Sequence, residues 1–181
     1  MPRTLSLPLG VVVARDRIDH PWQTFTWRPV SVFLNAPPVD AWRELRRDAT
    51  SVHYHAATVP LELHRKETPG YLVNLASRAP LVYVVLRPAG AGSGPPLTVT
   101  LTASPYDAEI YGQSGEEIVG GVAMPAALVE LVAAFVAAHH VEEPFVKRER
   151  RRHHAPEEHS FGKEPIAELR RRRGRPPGAE P

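Results

Sequence analysis

Two neighbouring stretches of the chain have the hydrophobic patterns of paired β-strands. Residues 81–86 are continuously apolar, which is typical of a strand buried on both faces. In residues 97–103 apolar side chains alternate with three threonines, so one face is apolar and the other polar. The segment between them, residues 88–96, is rich in Gly and Pro and is typical of a loop. Together these patterns predict an antiparallel β-hairpin.

Three longer stretches predict further strands. They are residues 7–18, residues 25–34 with a register break at Pro29, and residues 51–64 with a bend near Pro60. In the last of these strands Leu61 and Leu63 point to one side. Glu62 and His64 therefore point together to the other side. We expect the leucines to face the core and the polar pair to face outward.

The helical patterns are fewer. Residues 125–140 carry an i, i+3, i+4 apolar stripe and predict one long helix. Residues 40–48 predict a short helix, with Asp40 as a plausible N-cap and with Trp42 and Leu45 on one face. The fold class that follows is α+β, mainly an antiparallel sheet that curls toward a partly open barrel, with these two helices.

Three short segments complete the prediction for the domain. Residues 66–70 predict a turn, after which residues 71–75 resume an extended strand. Residues 105–115 predict an irregular or briefly helical segment.

Charge divides the chain into two parts. The 181 residues hold 22 Lys and Arg against 20 Asp and Glu, a formal net charge of only +2. Residues 1–145 carry 11 basic and 14 acidic side chains, whereas residues 146–181 carry 11 basic and 6 acidic ones. We expect one globular domain over 1–145 and a basic, disordered tail over 146–181. The near-neutral total argues against a dedicated nucleic-acid binder.

Composition excludes several kinds of chemistry and location. The chain has no cysteine, so disulfides, thiolate zinc sites and cysteine nucleophiles are excluded. Its longest mainly apolar stretch, residues 125–138, is shorter than the roughly 20 residues that a membrane helix needs. The N-terminus lacks the apolar core of a signal peptide. We expect a cytoplasmic protein without a membrane span.

Two polar clusters are candidate partner-binding sites. The first joins His20, Trp22, Trp27 and Arg28 with Asp19. Two indoles beside a cation could present a flat surface to a ring or a peptide, or they could pack on the core behind a hairpin turn.

The second cluster lies around the predicted turn after residue 64. Its candidate binding residues are His64, Arg65, Glu67 and Asn74, with Glu62 and Lys66 beside them. It could bind an anionic or peptide partner, or it could be a solvated hairpin tip whose ion pairs contribute little.

Evidence for a metal or a catalytic set is weak. His53 and His55 share one face of a predicted strand, a spacing that zinc sites use, but no third ligand is evident. There is no Gly-x-Ser-x-Gly elbow and no phosphate-binding P-loop. We therefore predict no cofactor and assign no catalytic residue.

Phe145 stands at the junction between the domain and the tail. It is an apolar residue just before the basic run KRERRR. This arrangement is typical of a short linear docking element, and equally of a segment that the phenyl ring pins to its own domain.

Seven short motifs, taken in order, resemble one family. They are DHPW at 19–22, WRPV at 27–30, LELHRKET at 61–68, YLVNL at 71–75, ASPYDAE at 103–109, SGEE at 114–117 and HHVEEPFVKR at 139–148. Over roughly residues 8–150 they resemble a bacterial domain-of-unknown-function family, number 3305. The resemblance implies association with genes of formate dehydrogenase and of molybdenum-cofactor handling.

Members of that family are sometimes labelled molybdopterin-guanine dinucleotide biosynthesis protein A. The residues argue against nucleotidyl transfer, because the first predicted strand runs into Arg15-Asp16-Arg17 without a glycine-rich phosphate loop. The glycines of residues 88–96 lie between two strands, with no helix start to hold a phosphate.

The expected function is therefore that of a non-enzymatic accessory or binding protein. By resemblance, it would act in assembly or maturation of a molybdenum-dependent formate dehydrogenase, with a subunit or a maturation factor as its protein partner. One alternative is a small enzyme or cofactor carrier in molybdenum-cofactor metabolism. Another is a nucleic-acid-associated protein that acts through its basic tail.

Overall fold

The computed structural model describes residues 3–89 and 94–141. The strands are β1 (Thr4–Arg17), β2 (Phe25–Leu34), β3 (Arg43–Arg47), β4 (Ser51–His64), β5 (Leu81–Arg87), β6 (Leu97–Thr102) and β7 (Ile118–Ala123). The helices are a 3-10 turn (Arg65–Glu67), α1 (Thr68–Leu75), α2 (Pro105–Gln113) and α3 (Ala126–His139).

All seven strands belong to one sheet. Its order is β2-β1-β4-β6-β5-β7, and β3 pairs with β4 beside this path. Every pairing is antiparallel except that of β4 with β6, which is parallel where Leu61 lies opposite Leu101. The sheet curls into a nearly closed barrel whose seam lies between β2 and β7.

No strand pairing joins β2 to β7 among the described residues, but the two strands come close together at one point of this seam. A Cβ atom on Gly120 of β7 would lie only 2.8 Å from the ring of Pro29 on β2, so the two strands approach closely there. Pro29 has no amide proton to donate to a ladder. The predicted register break at this proline is confirmed, since the pairing of β1 with β2 shifts where Val13 lies opposite Pro29.

The barrel and α3 share one hydrophobic core. Inward side chains of the strands pack with one face of α3; the fully buried or nearly buried members include Leu9, Val11, Val13, Leu61, Leu63, Val82, Val84, Leu86, Leu101, Leu128, Val132 and Phe135. Burial of this apolar area is the main favourable term in folding.

The fold class predicted from the sequence is confirmed, together with its clearest elements. β5 and β6 form the predicted antiparallel hairpin, and α3 matches the predicted long helix near 125–140. The alternation along β4 is confirmed as well, because Leu61 and Leu63 are fully buried. Residues 105–113 are helical.

The predicted short helix over 40–48 is wrong. Residues 43–47 form β3, an edge strand paired with β4, and Leu45 is exposed. Trp42 packs against Trp27, and the centroids of the two rings lie 5.2 Å apart. A short isolated helix is marginal in water. The edge of β4 and the aromatic contact outweigh the local helical pattern.

The predicted strand over 71–75 is also wrong, since these residues belong to α1. Thr68, Tyr71 and Asn74 are buried at a spacing of three residues, the period of a helix. Gly70 lies so close to α2 that a Cβ there would be 2.6 Å from the Ser104 hydroxyl. Contacts with α2 and α3, which are distant in sequence, therefore decide this segment.

Two other expectations concern the termini and membranes. The predicted boundary near Phe145 and the tail over 146–181 lie outside the described residues. No helix among residues 3–89 and 94–141 is long and apolar enough to cross a membrane.

Two glycine substitutions test the tightness of the seam. Gly120→Ala should lower the free energy of unfolding by about 1–3 kcal/mol, because the new methyl group would press on Pro29. Gly112→Ala is the matched control: it lies in α2 with nothing within 4 Å of a Cβ, so it should raise stability by about 0.5–1 kcal/mol. Urea unfolding of the full chain measures both. Equal stability of Gly120→Ala and the wild type would contradict this close approach of β7 to Pro29.

Candidate functional site

A cleft of about 340 Å³ opens where β4 and β6 end. Its walls come from four elements: the end of β4, the 3-10 turn, β6 and α2. The lining residues are Glu62, His64, Glu67, Thr100, Leu101, Thr102, Asp107, Ile110 and Tyr111.

The parallel contact between β4 and β6 explains where the cleft lies. Because Leu61 and Leu101 are register partners in parallel strands, the carboxyl ends of both strands reach the same edge of the sheet. The chain leaves β4 through the 3-10 turn and leaves β6 into α2. Polar residues from two distant segments therefore meet at this edge.

Glu67 is held in place by the phenol of Tyr71. The Tyr71 hydroxyl donates to Oε2 of Glu67 at 2.5 Å and accepts the backbone N–H of His64 at 3.1 Å. Burial, reinforced by the hydrogen bond to Glu67, raises the pKa of Tyr71 well above its usual value. The phenol therefore stays protonated and keeps donating to the carboxylate.

Asp107 is fixed on the opposite wall by the start of α2. Ser104 is the N-cap of this helix, and its Oγ accepts the backbone N–H of Asp107 at 3.3 Å. The Thr102 hydroxyl donates to Oδ2 of Asp107 at 3.1 Å. Ser104 therefore fixes the backbone of Asp107, and Thr102 orients its carboxylate.

Glu62 and His64 point outward from β4, as the alternation predicts. Nε2 of His64 lies 3.4 Å from a Glu62 oxygen, and its Nδ1 lies 3.4 Å from the Thr4 hydroxyl. The cleft thus combines three carboxylates with one imidazole, and none of its lining residues is Lys or Arg. Such a site favours a cationic group over an anionic one.

The other residues of the second predicted cluster lie elsewhere. Arg65 and Lys66 are exposed on the 3-10 turn and do not line the cleft. Asn74 is only 4% exposed. Its amide nitrogen donates to the carbonyls of Leu81 and Ala103, both at 2.7 Å, and its oxygen accepts the Leu81 N–H at 2.9 Å. Because that amide is fully used inside the protein, we leave Asn74 out of the binding surface.

The first predicted cluster is divided between two environments. Trp22 is 91% exposed in the β1–β2 loop, and Nδ1 of His20 accepts its backbone N–H at 3.3 Å. Trp27 instead packs against Trp42 and Tyr54. The two indoles therefore do not form one flat surface in the part of the chain that the structure describes.

Arg28 is an exposed residue that braces β1 against β2. Its Nε donates to Oδ2 of Asp16 at 2.5 Å, and Ser51 donates to the other Asp16 oxygen at 2.5 Å. Burial alone would raise the pKa of Asp16, but the hydrogen bonds from Ser51 and Arg28 outweigh it and lower that pKa.

The two histidines considered for a metal lie far from the cleft. His53 and His64 are eleven residues apart on the continuous strand β4, roughly 35 Å at the rise of a strand. His55 is buried, packs on Phe33 and bonds the Thr58 hydroxyl at 3.1 Å. Among residues 3–89 and 94–141 no group of three His, Asp or Glu could hold a metal ion.

Sequence reasoning missed Asp107, Ile110 and Tyr111, which form the α2 wall. A usable signal was present, since a serine followed by proline marks a helix start at residues 104–105. That start places Asp107 in the first turn of α2. Its proximity to β4 could not be read locally, because it depends on the pairing of β4 with β6.

The fold and the cleft define an α+β barrel with an acidic cleft at the ends of two parallel strands. A family described as protein of unknown function (DUF3305) matches residues 8–150. The match covers more than half of the chain, so the chain belongs to this family. No curated protein and no solved structure matches it.

The pH dependence of stability tests the role of Asp16. Asp16→Asn should lower the free energy of unfolding by about 1 kcal/mol at pH 7, because it removes the charge that Arg28 and Ser51 bind. The pKa of Asp16 is lowered on folding from 3.8, so its contribution is present above that pH and is lost as the pH falls below it. Thermal unfolding of both proteins from pH 7 to pH 3 should show the difference shrinking. A difference that grows toward pH 3 would contradict this assignment.

Removal of the Asn74 amide tests its structural role. Asn74→Ala should destabilise the protein by about 2–4 kcal/mol, because backbone groups of Leu81 and Ala103 would lose their buried partner. Ser77→Ala, just after α1 at an exposed position, is the control and should change stability by less than about 0.5 kcal/mol. Chemical denaturation gives both values. A near-neutral Asn74→Ala would show that α1 is held in some other way.

Proposed function

We propose that this protein is a non-enzymatic binding protein that holds a basic segment of a partner protein in its acidic cleft. The observation that carries the proposal is the lining of the cleft, with three carboxylates and no Lys or Arg. Lysine and arginine side chains are the protein groups that such a lining attracts.

The state of the carboxylates favours binding over acid–base catalysis. Glu67 accepts a hydrogen bond from Tyr71, and Asp107 accepts one from Thr102. Glu62 and His64 form the remaining carboxylate–imidazole pair of the cleft; Glu62 is exposed and His64 is half-buried. A general acid or base usually needs burial or close charged neighbours to shift its pKa.

Apolar side chains beside the cleft support a protein as the ligand. Ile110, at its rim, is 65% exposed, and Tyr106 on the same helix is 53% exposed. A Cβ atom on Gly70 of α1 would lie 3.2 Å from the Tyr106 ring, so α1 comes close to α2 at this point. A segment that combines a cation with an apolar residue could use both the carboxylates and this rim.

The proposed partner is a subunit or a maturation factor of a molybdenum-dependent formate dehydrogenase. This finer proposal is supported by the gene association that the family resemblance implies, which is an argument from association rather than from mechanism. The protein would then assist assembly or maturation of that enzyme without catalysing a step.

An affinity pull-down from the native host tests both levels of the proposal. The full chain should recover a formate dehydrogenase subunit or maturation factor, and Glu62→Gln should reduce that recovery several-fold. Glu109→Gln is the matched control, because it removes the same charge from an exposed position of α2 outside the cleft lining. The loss should be larger at low ionic strength, where exposed charges are less screened.

The possible results test the binding surface and the identity of the partner independently. Equal recovery with Glu62→Gln and Glu109→Gln would exclude the cleft as the binding surface. Loss on Trp22→Ala instead would favour the β1–β2 loop, where this indole is exposed. Recovery of no formate dehydrogenase subunit or maturation factor would overturn the proposed partner.

A further inference from the structure

β1 carries an arginine on the face that it otherwise turns to the core. Leu9, Val11 and Val13 occupy every second position of this face and are fully buried. Arg15 is the next residue in this alternation, and it is half-buried. A cation therefore occupies the inner side of the barrel near one end of β1.

Aromatic rings surround the guanidinium of Arg15. Its Cζ lies 4.6 Å from the ring centre of Phe25 and 6.0 Å from those of Trp27 and Tyr54. Trp42 extends this wall through its contacts with Trp27 and Tyr54. Cation–π attraction stabilises an arginine in such a setting.

One nitrogen of this guanidinium nevertheless lacks an acceptor. Nε of Arg15 is inaccessible to solvent and has no hydrogen-bond partner within residues 3–89 and 94–141. The acid whose charge interacts with Arg15 is Glu44, but both Glu44 oxygens are bound by Arg47, at 2.9 and 2.6 Å. The neighbouring Asp16 is bound by Arg28. None of the ion pairs formed by the described residues includes Arg15.

A buried donor without a partner needs an explanation. Leaving one unsatisfied costs about 1–3 kcal/mol, and an unseen water or ion is one explanation for such a group. The rings compensate for part of the charge but offer no lone pair in the plane of the guanidinium. A carboxylate offers two, spaced to match the planar fork of arginine.

We infer that Arg15 and the rings around it form a binding site for a carboxylate attached to a flat apolar body. The carboxylate would accept from the Arg15 guanidinium, and the body would pack on Trp27 and Trp42. An aromatic carboxylic acid has this chemistry.

This site is independent of the proposed function. Thr4 pairs with His64 at the cleft end of the β1–β4 ladder, whereas Asp16 pairs with Ser51 at the other end. The two sites are therefore roughly 35 Å apart along the strands. Failure of either proposal leaves the other standing.

Titration of the full chain with benzoate tests the inference. The chain has three tryptophans, so Trp22→Phe, at an exposed position, leaves Trp27 and Trp42 as the only indole reporters. Benzoate should change their fluorescence saturably. In the otherwise unaltered chain it should also shift the Nε–H resonance of Arg15 in a ¹⁵N-labelled sample, a readout that needs no change at Arg15.

Variants of Arg15 separate its role from a general charge effect. Arg15→Gln should weaken benzoate binding about tenfold or more, and Arg15→Lys should be intermediate because an ammonium lacks the planar fork. Arg43→Gln, which removes an exposed charge from β3, is the control and should stay within about twofold. Thermal unfolding shows whether each variant is folded. If Arg15→Gln does not fold, the shift of the Arg15 Nε–H resonance in the unaltered chain tests whether benzoate binds there.

Three results would overturn the inference. The first is that benzoate produces no saturable change in either reporter. The second is that Arg15→Gln binds benzoate as well as the parent chain does. The third is that benzyl alcohol, which keeps the ring but not the charge, binds as tightly as benzoate.

Discussion

The long antiparallel ladder between β1 and β4 is the constraint on which the rest of the structure depends. It runs from the pair Thr4–His64 to the pair Asp16–Ser51, and β1 also carries β2 on its other edge. Because side chains alternate along a strand, this register decides which residues enter the core. A slip by one residue would turn Glu62 and His64 inward and expose two fully buried leucines. The position of the acidic cleft is therefore fixed by core packing.

The sequence predicts this framework well where one strand face is apolar and the other polar. The alternation around Leu61 and along residues 97–103, and the stripe of α3, each agree with only one kind of element. Residues 43–47 and 71–75 are different, because short segments with mixed patterns suit a helix or a strand about equally. Their structures depend on partners distant in sequence: the free edge of β4 for β3, and α2 and α3 for α1.

In the candidate site, too, residues placed by local sequence could be predicted, whereas residues placed by contacts between distant segments could not. His64 and Glu67 could be proposed from the sequence because they follow directly from β4 and its turn. Asp107 could not be added to them, because it joins the cleft through the parallel contact of β4 with β6, forty residues later in the chain. Trp22 and Trp27 show the opposite error. They are close in sequence, yet one indole is exposed and the other packs in an aromatic cluster.

The hydrogen bonds that fix the cleft also make it suitable for binding. Tyr71 and Thr102 hold Glu67 and Asp107 in one orientation before any ligand arrives, so little side-chain freedom is left to lose. The same bonds place these carboxylates on elements anchored in the core, since Tyr71 is fully buried and packs on Phe135 of α3. Glu62 differs because it is exposed and its contact within the cleft is a loose one to His64. It is therefore the carboxylate whose charge a ligand can use at the least cost to the fold.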